Sequence, residues 1–131
     1  DDRFLYVSCW GLGELRQYDV SDPFRPKLTG TVRAGGVLAR APHPKAGPLV
    51  GGPQMVEISR DGRRVYVTNS LYSTWDDQFY PGLTGWMLKA NARPEGGLGL
   101  DPDFFVDFGA TRAHQVRLEG GDASTDTFCF S

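Results

Sequence analysis

Apolar and polar residues alternate along several short stretches of the chain, a pattern typical of half-buried β-strands. Residues 14–20 show it clearly, because Leu15, Gln17 and Asp19 alternate with their neighbours with a period of two. Residues 34–52 hold five glycines and three prolines without a sustained period, and they predict a loop. No stretch has a convincing helical period. The pattern predicts strands at residues 3–8, 14–20, 27–32, 54–59, 64–69, 85–90, 104–108 and 114–118. A short terminal strand at residues 127–130 is compatible with the pattern.

The strand pattern repeats with an offset of 60 residues, since residues 1–8 align with residues 61–68. Both copies read as a turn followed by an apolar strand, and an insert separates that strand from the next. The second insert is long and aromatic. Short strands, Gly- and Pro-rich turns and a repeat favour an all-β propeller over a sandwich, which would not need the repeat. We therefore predict one partial propeller domain over residues 1–131, with blade-like repeats at about 1–50 and 51–131.

Composition and charge exclude several classes of function. The length of 131 residues fits one domain, and 40% hydrophobic residues suit a globular protein. The net charge of −2 predicts no nucleic-acid partner, because phosphate neutralisation needs a basic face. No apolar run approaches the roughly 18 residues of a membrane span, and the sequence shows no signal peptide. The compartment, cytoplasmic or periplasmic, is left open.

The first residue and the cysteines add two expectations. The chain opens on Asp1 rather than Met and reads at once as the turn before a strand, which predicts that it begins inside a fold, through processing or as a fragment. Cys9 and Cys129 lie near opposite ends and lack the spacing of a metal site or a disulfide framework. We predict two free, partly buried thiols. A bridge between them is left open, since it depends on Cα positions.

Histidine is scarce, so each one is a candidate for chemistry. His114 stands in a predicted strand, with Val116 on the same face. A lone strand histidine is ordinarily a buried imidazole hydrogen-bonded within the sheet, and metal ligation is the alternative. His43 lies between Pro42 and Pro44, and we predict that it is solvent-exposed.

Two adjacent carboxylates follow Trp75 in the aromatic insert. One interpretation has Asp76 or Asp77 orienting a metal-binding imidazole by accepting a hydrogen bond from its other ring nitrogen. The interpretation we favour has them capping turns in a surface insertion, because aspartate readily bonds nearby backbone.

Four aromatic residues surround these carboxylates. They could line the mouth of a small apolar pocket suited to a methylated sulfur compound. Packing of the insert against the second repeat is the interpretation we favour, and it predicts that Trp75 and Phe79 are largely buried. The four residues are Tyr72, Trp75, Phe79 and Tyr80.

Several blocks of the sequence are too specific for generic strand-and-turn filler. Residues 51–55 read GGPQM, and residues 70–81 read SLYSTWDDQFYP. The chain opens with DDRFLYVS at 1–8 and GELRQYDVSDP at 13–23, and residues 113–126 read AHQVRLEGGDASTD. In this order the blocks resemble the selenium-binding protein family, whose bacterial members include methanethiol oxidases. The resemblance covers nearly the whole chain.

The resemblance implies a fold and a chemistry. Family members are seven-bladed propellers, of which this chain would supply roughly two C-terminal blades. The oxidases convert methanethiol, oxygen and water into formaldehyde, hydrogen sulfide and hydrogen peroxide with copper as cofactor. His114 matches a family histidine thought to bind that copper, and the other ligands lie in the N-terminal part. Ala123 stands where animal members carry cysteine, so the chain resembles the bacterial members more than the animal ones. Neither Cys9 nor Cys129 matches the family's selenium-linked cysteine.

The resemblance also implies partners. The expected partner is a small thiol, methanethiol, or a selenium species. The alternative is a non-catalytic propeller that binds selenium, a thiol or another protein, and fold alone cannot separate the two. Two blades cannot close a ring, so exposed blade edges predict self-association.

Overall fold

The computed structural model describes residues 3–69, 72–115 and 118, and it is built mainly from antiparallel β-strands. A short α-helix, α1, lies between the seventh and eighth strands. The bounds are β1 Phe4–Cys9, β2 Glu14–Asp19, β3 Lys27–Arg33, β4 Pro42–His43, β5 Gly47–Pro48, β6 Met55–Ile58, β7 Arg64–Thr68, α1 Ser73–Phe79, β8 Gly85–Ala92 and β9 Leu98–Gly109.

The strands form two main sheets joined by a small hairpin. The first sheet has the order β1-β2-β3 and the second the order β6-β7-β8-β9, each strand pairing with its neighbour in sequence. The β4–β5 hairpin lies between them in the chain. Short connections between neighbouring antiparallel strands follow from the Gly- and Pro-rich turns of the sequence. The all-β prediction is confirmed.

The strand predictions hold in most places. The observed strands β1–β3 and β6–β9 lie at the predicted positions, and both copies of the repeat begin with a strand that pairs with the next one. The arrangement of the two sheets as blades of a closed propeller stays a prediction, as do the repeat boundaries. Within the predicted loop 34–52 the chain forms β4 and β5, so this stretch is partly ordered as a hairpin.

Two predictions about local structure are wrong. Residues 73–79 form helix α1, where the sequence showed no helical period. Seven residues are too few for a period to be visible, and the helix depends on tertiary contacts. His114 and its neighbour at position 115 lie outside any strand, in a bend after β9. The possible strand at 127–130 lies outside the described residues.

The two sheets share one core. β1 lies beside β6 and β3 beside β9. The buried apolar side chains of both sheets meet in one cluster, and removing this surface from water is the main driving force for the packing. The cluster comprises Leu15, Val32, Ala34, Leu49, Val65, Val67, Trp86, Leu88, Ala90 and Ala92.

A buried glutamine connects the sheets. The Gln17 amide on β2 donates to the Tyr6 hydroxyl at 2.9 Å, and its Oε1 accepts from the Thr29 hydroxyl at 2.9 Å and from the backbone N–H of Gly97 at 2.7 Å. Gly97 belongs to the turn before β9, so this last bond crosses from one sheet to the other. A buried amide whose groups are paired adds specificity to an apolar interface.

At the other end of the sheets, loops approach each other too closely for side chains. A Cβ on Gly52 would lie 2.1 Å from the Trp10 carbonyl oxygen, and one on Gly35 would lie 1.9 Å from the Gly51 carbonyl oxygen. Gly35 also has a φ of 72°, which favours glycine. These glycines let the loop after β1 pack against the loop before β6.

Acid should weaken this fold. Hydrogen bonding from Arg16 lowers the pKa of Glu14, with Arg33 contributing, and hydrogen bonding from Lys89 lowers the pKa of Asp101. The folded protein therefore holds these protons less tightly than the unfolded chain. The resulting stabilisation is complete above the ordinary carboxyl pKa of about 4. It is lost as the pH falls through the lower pKa values that these carboxyls have in the folded protein.

We expect the free energy of unfolding to decrease as the pH is lowered from 5 towards 2, as measured by urea denaturation at a series of pH values. Glu14→Gln is the matched control, because it keeps the shape of the side chain and removes its titration. That variant should depend less steeply on pH. Identical slopes for the two proteins would contradict the assignment to Glu14.

Among the described residues, no helix is both long and apolar enough to cross a membrane.

Candidate functional site

The candidate site lies at the end of the second sheet where β7 ends and β8 begins. Asn69, fully buried, organises this end. Its amide donates to the carbonyls of Val50 at 3.1 Å and Thr84 at 2.8 Å, and its Oδ1 accepts from the backbone N–H of Trp86 at 2.8 Å. The indole of Trp10 donates to the Asn69 carbonyl at 2.6 Å. The Asn69 side chain therefore ties the loops at Val50 and Thr84 to the start of β8, and its backbone carbonyl holds Trp10.

His114 lies beside this end of β7. The Thr68 hydroxyl donates to the His114 carbonyl at 3.1 Å, and the His114 ring lies 5.3 Å from the Tyr72 ring at an interplanar angle of 44°. The imidazole is half-buried. The chain reaches this position because a turn after β9, closed by the Thr111 N–H bonding to the Phe108 carbonyl, carries it away from the sheet. Both the backbone and the ring of His114 are thus held by the strand end and the aromatic insert.

A buried ion pair connects the insert to the segment that carries His114. Asp76 in α1 is 0% exposed, and its Oδ2 lies 3.5 Å from Nε of Arg112, whose side chain is 8% exposed. Arg112 also donates from Nη2 to Asp77 at 2.7 Å. Within the part of the chain that the structure describes, both carboxylate oxygens of Asp76 and Nε of Arg112 have no hydrogen-bond partner. The attraction between the two charges is therefore the polar interaction that compensates the burial of this carboxylate.

The two aspartates differ in a way that the sequence did not indicate. The favoured interpretation placed both as turn caps on a surface insertion, yet Asp76 is buried within the first turn of α1 while the Asp77 side chain is 69% exposed. A carboxylate in the first helical turn also interacts favourably with the helix dipole. Helix α1 ends before Pro81, which cannot continue a helix.

The prediction that the insert buries its aromatic residues is wrong. Trp75 and Phe79 are each 52% exposed, and their rings pack on each other with centroids 4.6 Å apart. Tyr80 packs instead against Trp10 at 4.8 Å. A seven-residue helix has a narrow buried face. Asp76 occupies that face in α1, so the aromatic rings lie on the outer side. The four aromatic residues form separate pairs rather than one apolar pocket.

The prediction that His43 is exposed is also wrong, since it is 1% exposed. The backbone N–H of Lys45 lies 3.2 Å from its Nδ1, and a backbone N–H can only donate. Nδ1 therefore accepts, which leaves Nε2 to donate to the Asp101 carbonyl at 3.2 Å. The ring also packs on Phe105 at 5.0 Å. His43 holds the β4–β5 hairpin against β9, which is a structural role.

The described residues do not assemble a metal site by themselves. Within residues 3–69, 72–115 and 118, no group of three or more His, Cys, Asp or Glu side chains is placed to hold a metal ion. His114 is one imidazole, and one imidazole does not complete a copper coordination shell. Cys9 is half-buried and has no disulfide partner among the described residues, so the possible bridge to Cys129 stays untested. Cys129 and Ala123 lie outside the described residues.

Three residues of the site were missed at the level of sequence: Thr68, Asn69 and Arg112. Thr68 and Asn69 end a predicted strand and look like ordinary turn residues. For Arg112 the sequence offers one weak indication of a role at the site, because it lies two residues before His114. Their roles depend on contacts with residues far away in the chain, which no local pattern encodes.

Comparisons with a family model, with known proteins and with solved structures all indicate the same family. Residues 1–129 match the family model described as 56kDa selenium binding protein (SBP56). Over 96% of its length the chain is 46% identical to a methanethiol oxidase of Pongo abelii and 45% identical to one of Homo sapiens. It is 43% identical to selenium-binding protein 3 of Arabidopsis thaliana over the same share. The chain spans 32% of the length of each of these relatives.

The fold also matches a solved structure, that of a hypothetical selenium-binding protein from Sulfolobus tokodaii. The two chains are 70% identical, and the TM-score is 0.86. The match covers 95% of this chain and 28% of the other one. The two sheets described here therefore occur together within a much longer protein.

Proposed function

Because this chain belongs to the 56kDa selenium binding protein family, we propose that it forms part of a copper-dependent methanethiol oxidase. The reaction would join methanethiol, O₂ and H₂O and give formaldehyde, H₂S and H₂O₂. The observation that carries the proposal is the identity of 46% and 45% to proteins named methanethiol oxidase, over 96% of the chain. Copper, when bound, supplies the oxygen and redox chemistry that side chains do not perform alone.

The chain's own contribution would be one metal ligand and its support. His114 is the residue we propose as a copper ligand. Its carbonyl is held by Thr68 and its ring by Tyr72, so the imidazole has a defined position. Arg112, two residues earlier, is attached to Asp76 of α1. These contacts would orient the imidazole, as outer contacts commonly do at metal sites.

The remaining ligands would come from outside the described residues. Since the chain spans 32% of the length of the methanethiol oxidases it resembles, we propose that it corresponds to the C-terminal blades of a seven-bladed propeller. In that arrangement His114 would meet ligands from other blades. The 131-residue chain alone should then retain little copper after dialysis and show no turnover.

An assay of products tests the proposed activity. A full-length family member that carries these residues should consume methanethiol and release formaldehyde, H₂S and H₂O₂ in equal amounts, with a rate proportional to its copper content. Removal of copper with a chelator should abolish product formation, and added copper should restore it. Methanethiol consumption without peroxide at full copper occupancy would refute the oxidase proposal.

A second candidate is a non-catalytic propeller that binds selenium or a thiol. The family description and the Arabidopsis thaliana relative, both named for selenium binding, favour it. This candidate predicts saturable binding of selenite or methanethiol that is independent of copper and releases no peroxide. The same product assay therefore separates the two functions.

A further inference from the structure

A cavity of about 270 Å³ opens between the two sheets, at the end of the strands opposite His114. Its floor comes from the start of β1 and the end of β6. Its rim comes from the hairpin between β6 and β7 and from the turn between β8 and β9. The lining residues are Phe4, Tyr6, Ile58, Arg60, Asp61, Gly62, Arg63, Arg93 and Pro94.

Three arginines line this cavity. Arg60, Arg63 and Arg93 are exposed, and none has an ion-pair partner among residues 3–69, 72–115 and 118. Three neighbouring cations that form no ion pair repel each other. An arrangement of this kind favours binding of an anion, because the anion relieves the repulsion.

The carboxylate in the lining, Asp61, offsets only part of this positive charge. Oδ1 of Asp61 accepts from the Ser59 hydroxyl at 2.6 Å and from the backbone N–H of Arg63 at 3.0 Å, and its Oδ2 pairs with Arg64 at 3.2 Å. The hydrogen bond from Ser59 is the main reason that the pKa of Asp61 lies below its usual range. The carboxylate thus closes its own turn and pairs with Arg64. It attracts Arg63 through space, but among the described residues it forms no ion pair with Arg60, Arg63 or Arg93.

Other nearby charges leave the balance positive. Arg3 is paired with Asp19 at 3.0 Å, and its guanidinium lies 4.8 Å from the centre of the Phe4 ring. Glu95 is exposed next to Pro94 and is not part of the lining. The cavity therefore has an excess of positive charge in a chain whose net charge is −2.

The other wall of the cavity is apolar. Phe4, Tyr6, Ile58 and Pro94 are not fully buried, and the Tyr6 hydroxyl is already bonded to Gln17. A ligand that fits both walls has an apolar or aromatic body and more than one negative charge. Phosphate oxygens match the fork of arginine N–H donors better than a single carboxylate does.

We propose that this cavity binds a small organic phosphate monoester, with its phosphate at Arg60, Arg63 and Arg93 and its apolar part against Phe4 and Ile58. The site is independent of the proposed oxidase activity. It uses the hairpin at residues 60–63, which has no part in the candidate copper site. The expected ligand is a small molecule and not a nucleic acid.

The test uses phenyl phosphate as the probe, with inorganic phosphate and benzyl alcohol for comparison, in isothermal titration and NMR titration of the chain at low ionic strength. Phenyl phosphate should bind more tightly than inorganic phosphate, and benzyl alcohol should not bind measurably. Amide signals of Phe4, Tyr6 and Gly62 should shift. Salt should weaken binding, because exposed charges are screened.

Substitutions assign the charge. Arg63→Gln and Arg93→Gln should each weaken phenyl phosphate binding by about two- to fivefold, the range for exposed charge pairs. The double variant should weaken it by about tenfold. Arg40→Gln removes an exposed arginine from the loop between β3 and β4 and should leave binding unchanged. No saturable binding by the parent chain, or equal binding by the double variant and Arg40→Gln, would overturn the proposal.

Discussion

His114→Ala in a full-length family member that carries this segment is expected to lower the copper content and to abolish thiol-dependent peroxide release. The expectation follows from the proposed role of the imidazole as a ligand, since alanine removes the donor atom. The backbone contact from Thr68 to the His114 carbonyl does not involve the ring and should survive. The free energy of unfolding of the metal-free protein should therefore change little. Copper is measured by elemental analysis after dialysis, and peroxide by a coupled assay.

His43→Gln is the matched control for this experiment. His43 is buried and makes two hydrogen bonds through its ring, so its replacement should destabilise the protein. It should not change the copper bound per folded molecule. The opposite pattern, with copper lost in His43→Gln and kept in His114→Ala, would place the ligand elsewhere and make His114 an ordinary structural histidine.

Asp76→Ala is expected to lower the free energy of unfolding by about 2–3 kcal/mol, because removing one partner of a buried ion pair leaves the other uncompensated. Arg112, 8% exposed, would keep its contact with Asp77, which brings the cost below the range of about 3–5 kcal/mol for a buried charge left with no partner. Helix α1 would lose its attachment to the segment that carries His114. The measurement is urea unfolding followed by tryptophan fluorescence and circular dichroism.

Two control variants show whether the loss of stability comes from the buried ion pair. Asp77→Ala removes the exposed partner of the same arginine and should cost less than about 1 kcal/mol, as surface pairs do. Trp75→Ala should cost about 1 kcal/mol, since Trp75 is half-exposed and packs mainly on Phe79. Combining Asp76→Ala with Arg112→Met should restore part of the lost stability. If the Asp76 and Asp77 variants had equal, small effects, the buried pair would not hold the insert.

The insert at residues 70–81 marks the limit of prediction from sequence. Its composition identified the region as special, and the resemblance to the family rested partly on it. The orientation of its side chains could not be predicted, because α1 is only seven residues long. In a helix this short, a single tertiary contact decides which face is buried. Asp76 occupies that face because it pairs with Arg112, and Trp75 and Phe79 are left half-exposed.

The two histidines show the same limit. Pro42 and Pro44 indicated an exposed loop around His43, but the loop folds back as β4 and β5 against β9. His114 was expected in a strand on the evidence of its apolar neighbours. The turn after β9 moves it to the end of β7, where Thr68 and Tyr72 contact it.

What the sequence by itself determined is local. The period of two, the turn residues and the repeat gave the strands and the all-β class, because alternation and backbone preference act over a few residues. The tertiary structure alone decided which polar groups are buried. The burial of Asp76, His43 and Gln17 depends on partners tens of residues away, such as Arg112, Asp101 and Gly97. A polar side chain can be buried only where such a partner offsets its loss of hydration, and that requires the fold.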